Sequence, residues 1–194
     1  MTGKGSLNHN SRKFHAKNTD PNRTHWNVEY CNEDIKDVYH ELFDEALKRY
    51  NDKQTRKDRK IDDYYEKIRS GKQEKLFHEV ILQIGDKDNM GSETMEGQLA
   101  AKILDEYMKG FQERNPTLRV FAAHLHLDEA TPHLHIDFIP YVTGSKRGLD
   151  TRVSLKQALS SLGFKGGSRS ETELNQWVQS EKEKLAMVMR ENEI

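Results

Sequence analysis

A single cysteine, Cys31, stands in 194 residues. It cannot close an internal disulfide, so a secreted disulfide scaffold is excluded and a reducing compartment, the cytoplasm, is expected. No apolar run approaches the roughly 18 residues needed to cross a bilayer, so no membrane segment is expected in this chain. Residues 1–10 contain no apolar h-region, and no secretory signal is read there. Apolar residues are scarce: Leu, Ile, Val and Phe number 17, 9, 8 and 7. That lies just above the level of roughly 20 % below which chains tend to be disordered. Scarcity leads to disorder when it is joined to high net charge, and the formal charge here is −1. A small core under a very polar surface is expected. There are no internal repeats and no low-complexity tract, and the length suits one domain.

Neutrality hides an asymmetry. Before Val28 the charges are Lys4, Arg12, Lys13, Lys17 and Arg23 against Asp20 alone. Between Tyr141 and Ser170 they are Lys146, Arg147, Arg152, Lys156, Lys165 and Arg169 against Asp150. Two basic segments on a neutral chain suit a local anionic ligand better than general adhesion to polyanions.

The pattern along the chain reads as mixed helix and strand. Residues 3–27 are polar and read as loop, with a short helix around Arg12. A short strand over 27–30 follows. Ile35, Val38, Tyr39, Leu42, Phe43, Ala46, Leu47 and Tyr50 form one helical stripe, and Ile61, Tyr64, Tyr65 and Ile68 a shorter one ending near Gly71. Residues 76–84 alternate as a strand. Leu99 to Phe111 carry a third stripe, which Asn115-Pro116 stops. Residues 118–127 and 133–140 read as two strands. Ser154 caps a short helix ended by Gly163. Ser170 and Glu173 have capping-box spacing at the start of a last helix over 170–194.

The segment AHLHLDEATPHLHIDFIP, from Ala123, carries the chemistry. Period two places His124 and His126 on one strand face, with Phe121, Leu125 and Leu127 on the other. His133, His135 and Asp137 share a face of the next strand. Imidazoles gathered on one sheet face can hold a divalent metal and leave positions open to water or substrate. No His-Glu-x-x-His occurs, which excludes that zinc-protease signature, and one cysteine excludes a thiolate zinc site. The hairpin has a parity condition. Paired residues of an antiparallel ladder share a face. His126 therefore meets His133 and His135 only if the loop holds an even number of residues or a bulge intervenes.

HLDEATPHLH, residues 126–135, resembles the signature His-x-Asp-Glu-x-x-Pro-His-x-His of the plasmid mobilisation and recombination (Mob/Pre) relaxases. Asn8-His9-Asn10-Ser11-Arg12 resembles the family's His-Asn-x-Arg element, and residues 18–27 resemble its Asn-x-Asp-Pro-x-Arg-x-His-x-Asn stretch. The resemblance implies an α+β fold with a central antiparallel sheet flanked by helices, the His-hydrophobic-His endonuclease fold. It implies an enzyme that nicks one DNA strand at an origin of transfer, stays attached to the 5′ end and can religate. On that reading residues 1–194 form one relaxase domain, whose last helix leads into a further C-terminal region that would meet other transfer proteins.

Carried over residue by residue, His126, His133 and His135 would be metal ligands, with Glu129 the candidate fourth. His9 would be the nucleophile and Arg12 a phosphate contact. Single-stranded origin DNA would run over Asn10, Arg12, Lys13, Arg23, His25, Lys146, Arg147, Arg152, Lys165 and Arg169. His25 and Asn27 are candidates for orienting a base or a water. Trp26 is a candidate for stacking on a nucleotide, whereas Trp177, in phase with its helix stripe, belongs to the core. The expected metal is Mn or Mg, although imidazoles also accept Zn, Ni or Co. Only eight residues precede His9, where some members carry an extra strand.

An imidazole is uncharged over much of the neutral range, since its unperturbed pKa is about 6.5, and can attack phosphorus directly. The resulting phosphoramidate retains energy for religation without ATP. Two other readings stay open on the sequence. One is a tyrosine-dependent replication initiator or transposase of the same fold, using Tyr30, Tyr64 or Tyr65. The other is a non-catalytic DNA-binding module stabilised by metal.

Overall fold

The computed structural model describes residues 2–3 and 6–193. Lys4 of the basic N-terminal segment lies outside the described residues, as do Met1, Gly5 and Ile194. In chain order the elements are β1 (Thr2–Gly3), α1 (Leu7–Asn10), β2 (Val28–Asn32), α2 (Ile35–Asp52), α3 (Tyr64–Ser70) and β3 (His78–Gln83). Then come α4 (Met95–Lys109), α5 (Phe111–Arg114), β4 (Leu118–His126), β5 (His133–Val142), β6 (Arg152–Val153), α6 (Leu155–Ser161) and α7 (Glu173–Glu191). Single-turn 3-10 helices occupy Thr24–Trp26 and Lys57–Arg59.

The strands pair antiparallel in the order β1-β3-β5-β4-β2, with β6 added to β5. One sheet face is covered along its length. Val80, Leu82, Leu125, Leu134, Ile136 and Phe138 pack there against Ile103, Leu104 and Tyr107 of α4, Phe111 and Trp177. The other face is divided. Toward one end α2 and α3 cover it, with Tyr39, Phe43 and Tyr64 on Phe121, Ala122 and Ile139. The rest of that face carries the histidines.

Helices α2, α3, α4 and α6 each begin where a side chain accepts a free amide. Asp34 does so for α2, Asp63 for α3, Thr94 for α4 and Ser154 for α6. α7 is docked by buried polar contacts. Trp177 Nε1 donates to Asn115 Oδ1 at 2.9 Å, and Glu181 accepts from Tyr107 and from Arg114, the latter at 2.9 Å.

The α+β architecture matches the sequence reading, and several details differ from it. The loop between β4 and β5 holds residues 127–132, an even number, so His126 pairs with His133 and His124 with His135. The parity condition is met by the loop. A bulge does occur, but between Val120 and Ala122. It turns Phe121 onto the histidine-bearing face, against Phe77 at 5.5 Å between ring centroids, and away from Leu125. The third helical stripe is split: α4 stops at Gly110, and Phe111 opens a separate turn. The cap of the last helix is Thr172, which accepts from Asn175, so Ser170 lies outside α7. The N-terminal segment is not all loop. Thr2 and Gly3 pair with Val80 and Glu79, and the short helix α1 ends just before Arg12.

Candidate metal centre

The β4–β5 register brings three imidazoles together. Ring centroids of His126 and His135 lie 4.8 Å apart, those of His133 and His135 5.0 Å, and those of His126 and His133 5.2 Å. One potential ligand atom from each lies within 4.8 Å of the others.

Hydrogen bonds settle which ring nitrogens are free. His126 Nε2 donates to the Asn10 carbonyl at 2.8 Å, and His133 Nδ1 donates to the Thr131 carbonyl at 2.8 Å. His135 Nδ1 donates to Glu79 Oε1 at 2.7 Å. A carbonyl or carboxylate only accepts, so each of these nitrogens carries a hydrogen, and in the neutral tautomer the other nitrogen keeps its lone pair. His126 Nδ1 and His135 Nε2 are buried and without a hydrogen-bond partner. His133 Nε2 points at Glu129 Oε1, 3.7 Å away. Burial pushes His126 down to about 2, and it lowers His133 as well. Uncharged rings with orphaned lone pairs fit a divalent cation.

His9 enters from α1. Its Nε2 lies 3.3 Å from Glu129 Oε1, and its ring centroid 6.1 Å from that of His126 and 6.5 Å from that of His135. His9, His126 and Glu129 form a second group whose ligand atoms approach within 4.8 Å. Glu129 also accepts from Asn18 at 2.7 Å. Beside these groups opens a cleft of about 320 Å³, lined by His9, Asn18, Ile81, Gln83, His133 and His135 among others. Phe14, 50 % exposed, has its ring 5.9 Å from that of His9.

The remaining sequence candidates divide into two groups. Some are turned inward. Arg12 donates to Asp128 through Nε at 2.9 Å and Nη2 at 2.5 Å, and to Glu129 at 2.8 Å. Burial would raise the Asp128 carboxyl, but Arg12 and Thr24 hold it down to about 2. Arg23 donates to the carbonyls of Leu127 and Glu129, and Asn27 Oδ1 accepts from the amides of Leu127 and Asp128. Arg12, Arg23 and Asn27 thus brace the loop that carries Glu129. Asn10 is buried, with its side chain on Glu79 and Asp137.

The others face solvent. Lys13, His25, Lys146, Arg147, Lys165 and Arg169 are exposed and Arg152 is half-buried. Arg152 donates to Ser145 in the loop that leads to β6. Trp26 is 40 % exposed, whereas Trp177 is core. The three tyrosine rivals belong elsewhere. Tyr30 donates to Asp105 of α4 on the far sheet face, Tyr64 is buried and accepts from the Val153 amide, and Tyr65 packs against Tyr39.

Glu79 escaped the sequence reading. It sits in β3 opposite Asp137, buried, and its role follows only from the β3–β5 register. Asp137 is fully buried beside it. Burial and the Glu79 charge push its carboxyl up to about 7.

A family model described as plasmid recombination enzyme, Mob_Pre, matches residues 5–186. No curated protein matches. Among solved structures the chain is similar to the MobM relaxase domain (MOBV; Mob_Pre) bound to plasmid pMV158 oriT DNA, Mn-bound, at pH 5.5. The identity is 24 % and the TM-score 0.51, over 93 % of this chain and 77 % of that one. A second structure of the same domain with that DNA, at pH 4.6, is 24 % identical with a TM-score of 0.44, over 78 % and 67 %. At this identity the first likeness is one of fold.

Proposed function

The chain belongs to the Mob_Pre family of plasmid recombination enzymes, and from that premise we propose that it is a relaxase. It cleaves one DNA strand, presented single-stranded at an origin of transfer, and joins His9 to the new 5′ phosphate. His126, His133 and His135 would hold a divalent cation, Mn or Mg first, with Glu129 the fourth donor. Bound there, such a cation polarises the scissile phosphate and offsets charge on its oxygens.

The chain's own groups supply the rest. A ring nitrogen of His9 bonds to phosphorus while the bond to the 3′ oxygen breaks, and that oxygen departs. Arg12 keeps α1 and Glu129 in one place, so the nucleophile is held rather than found by diffusion. Reversal by the retained 3′ end restores the strand, because the phosphoramidate preserves the energy of the bond it replaced. Phe14 and Trp26 offer exposed rings to unpaired bases. Lys13, Lys146, Arg147, Arg152, Lys165 and Arg169 would carry the phosphates of the strand.

The observation that carries this reading is the approach of His9 to Glu129 and to the three-histidine cluster. Incubation with a panel of single-stranded origin oligonucleotides and Mn tests it. A covalent adduct that His9→Ala lacks, while still binding metal and DNA, is the expected outcome.

A further inference from the structure

Asn10 is next to His9 and only 1 % exposed, and both its backbone carbonyl and its side-chain nitrogen Nδ2 bond to the sheet. Its carbonyl accepts from His126 Nε2 at 2.8 Å. Its amide nitrogen donates to Glu79 Oε1 at 2.7 Å and to Asp137 Oδ2 at 3.1 Å. Glu79 Oε1 in turn accepts from His135 Nδ1 at 2.7 Å. One buried chain of bonds therefore links α1 to β3, β4 and β5, across separations of 69, 116 and 127 positions.

The residue types are chosen by this arrangement. Two carboxylates face each other and need a double donor between them. Asparagine provides one, while aspartate would bring in a third carboxylate and an apolar residue would leave both acids unshielded. The chain also selects tautomers. The Asn10 carbonyl forces the hydrogen of His126 onto Nε2, and Glu79 forces that of His135 onto Nδ1. The nitrogens left over are His126 Nδ1 and His135 Nε2, both orphaned in the interior.

We infer that Asn10 and Glu79 are positioning residues that orient two cation-binding imidazoles and tie the helix bearing His9 to them, so that cation binding and order in residues 7–13 reinforce each other. The inference rests on the metal reading above and goes beyond it. If the bracket orders the ligands, occupancy of the ligands must equally order the bracket, because coupling between two equilibria is reciprocal. The nucleophile would then be fully placed only in the cation-loaded protein. That limits attack on DNA by an enzyme unable to complete the reaction.

The test uses the 194-residue chain and Mn alone, without DNA. Calorimetric titration should show Glu79→Ala binding Mn about 10–100-fold more weakly than the unaltered chain. Glu79→Gln should recover most of that loss, because its Oε1 still accepts from both Asn10 and His135. A merely structural role would not separate these two variants in affinity. Hydrogen exchange followed by mass spectrometry should show Mn slowing exchange in residues 7–13 of the unaltered chain, and Asn10→Asp should lose that protection. The exchange measurement on the unaltered chain needs no variant to fold. Unchanged Mn affinity in a folded Glu79→Ala protein overturns the inference, and so does exchange in residues 7–13 indifferent to bound Mn. An unaltered chain that takes up no Mn overturns the metal reading and this inference with it.

Discussion

Arg12 grips Asp128 with both arms of its guanidinium, Nε to Oδ2 at 2.9 Å and Nη2 to Oδ1 at 2.5 Å. The pair joins the turn after α1 to the loop between β4 and β5, and its side chains are 8 % and 0 % exposed. Arg12 does this from a left-handed backbone conformation, φ 53°. Such a conformation costs a non-glycine residue about 1–2 kcal/mol, which the fork to Asp128 offsets.

Breaking this pair should unseat the nucleophile and weaken the fold together. Arg12→Ala leaves a buried carboxylate without its partner and should cost about 3 kcal/mol in urea unfolding. Arg12→Gly should cost about 1 kcal/mol less, because the backbone strain is relieved. Arg12→Lys keeps the charge and loses the fork, so adduct formation should fall while DNA binding changes little. Full nicking by Arg12→Lys would argue that the fork does not place His9.

Acid should act through His78. Burial, with the nearby Lys75 charge, pushes this imidazole down to about 4, and its ring stacks on Phe138 at 6.1 Å. Above about 6.5 both the folded and unfolded states hold it uncharged. As pH falls from 6.5 toward 4 the unfolded chain takes up the proton first, so stability is lost in that window. His78→Phe keeps a ring on Phe138 and should remove about 2 kcal/mol of this acid loss. Urea midpoints at pH 7 and pH 4.5 for the two proteins check it, and equal acid losses would exclude His78 as the cause.

Chelation should stop cleavage and leave most DNA binding in place. His135→Ala should lower Mn affinity and nicking in parallel, since one of three lone pairs is gone. Undiminished cleavage after the metal has been stripped and its removal verified would sink the metal reading. Unfolding on chelation would instead favour the structural-site alternative.

Salt should weaken DNA binding with a log–log slope of about −0.7 per phosphate neutralised on a single strand. Lys165 and Arg169 are both exposed. Replacing both with alanine should flatten the slope by about 1.4 if each meets one phosphate. An unchanged slope would place the strand elsewhere on the surface.

The histidine hairpin was legible because its information is local. Period two fixes which side chains share a face, and parity then requires an even loop, which residues 127–132 provide. The individual strands and helices were legible for the same reason, from stripes and alternation, whereas their assembly into one sheet flanked by helices was implied by the family resemblance. What stayed hidden depends on pairing between distant segments. Glu79 becomes a partner of His135 only once β3 lies beside β5. Asn10 reads as one more polar residue in a polar segment, and its burial follows from α1 docking on the sheet. Arg12 reads as a free cation, because nothing nearby in sequence announces Asp128 as its partner. Phe121 was placed on the wrong face because a bulge shifts the phase without a glycine or proline to mark it. Ser170 and Thr172 are equivalent as caps by residue type, and it is Thr172 that caps α7.

The central claim is that His9 attacks the phosphate, and the chemistry of the trapped adduct tests it most directly. A phosphoramidate is labile to acid and stable to base, whereas a tyrosyl phosphodiester survives mild acid. Complexes of the unaltered chain with origin DNA and Mn should fall apart in acid and persist in base, and peptide mapping should place the nucleotide within residues 7–13. An acid-stable adduct mapping to Tyr30, Tyr64 or Tyr65 would contradict the account.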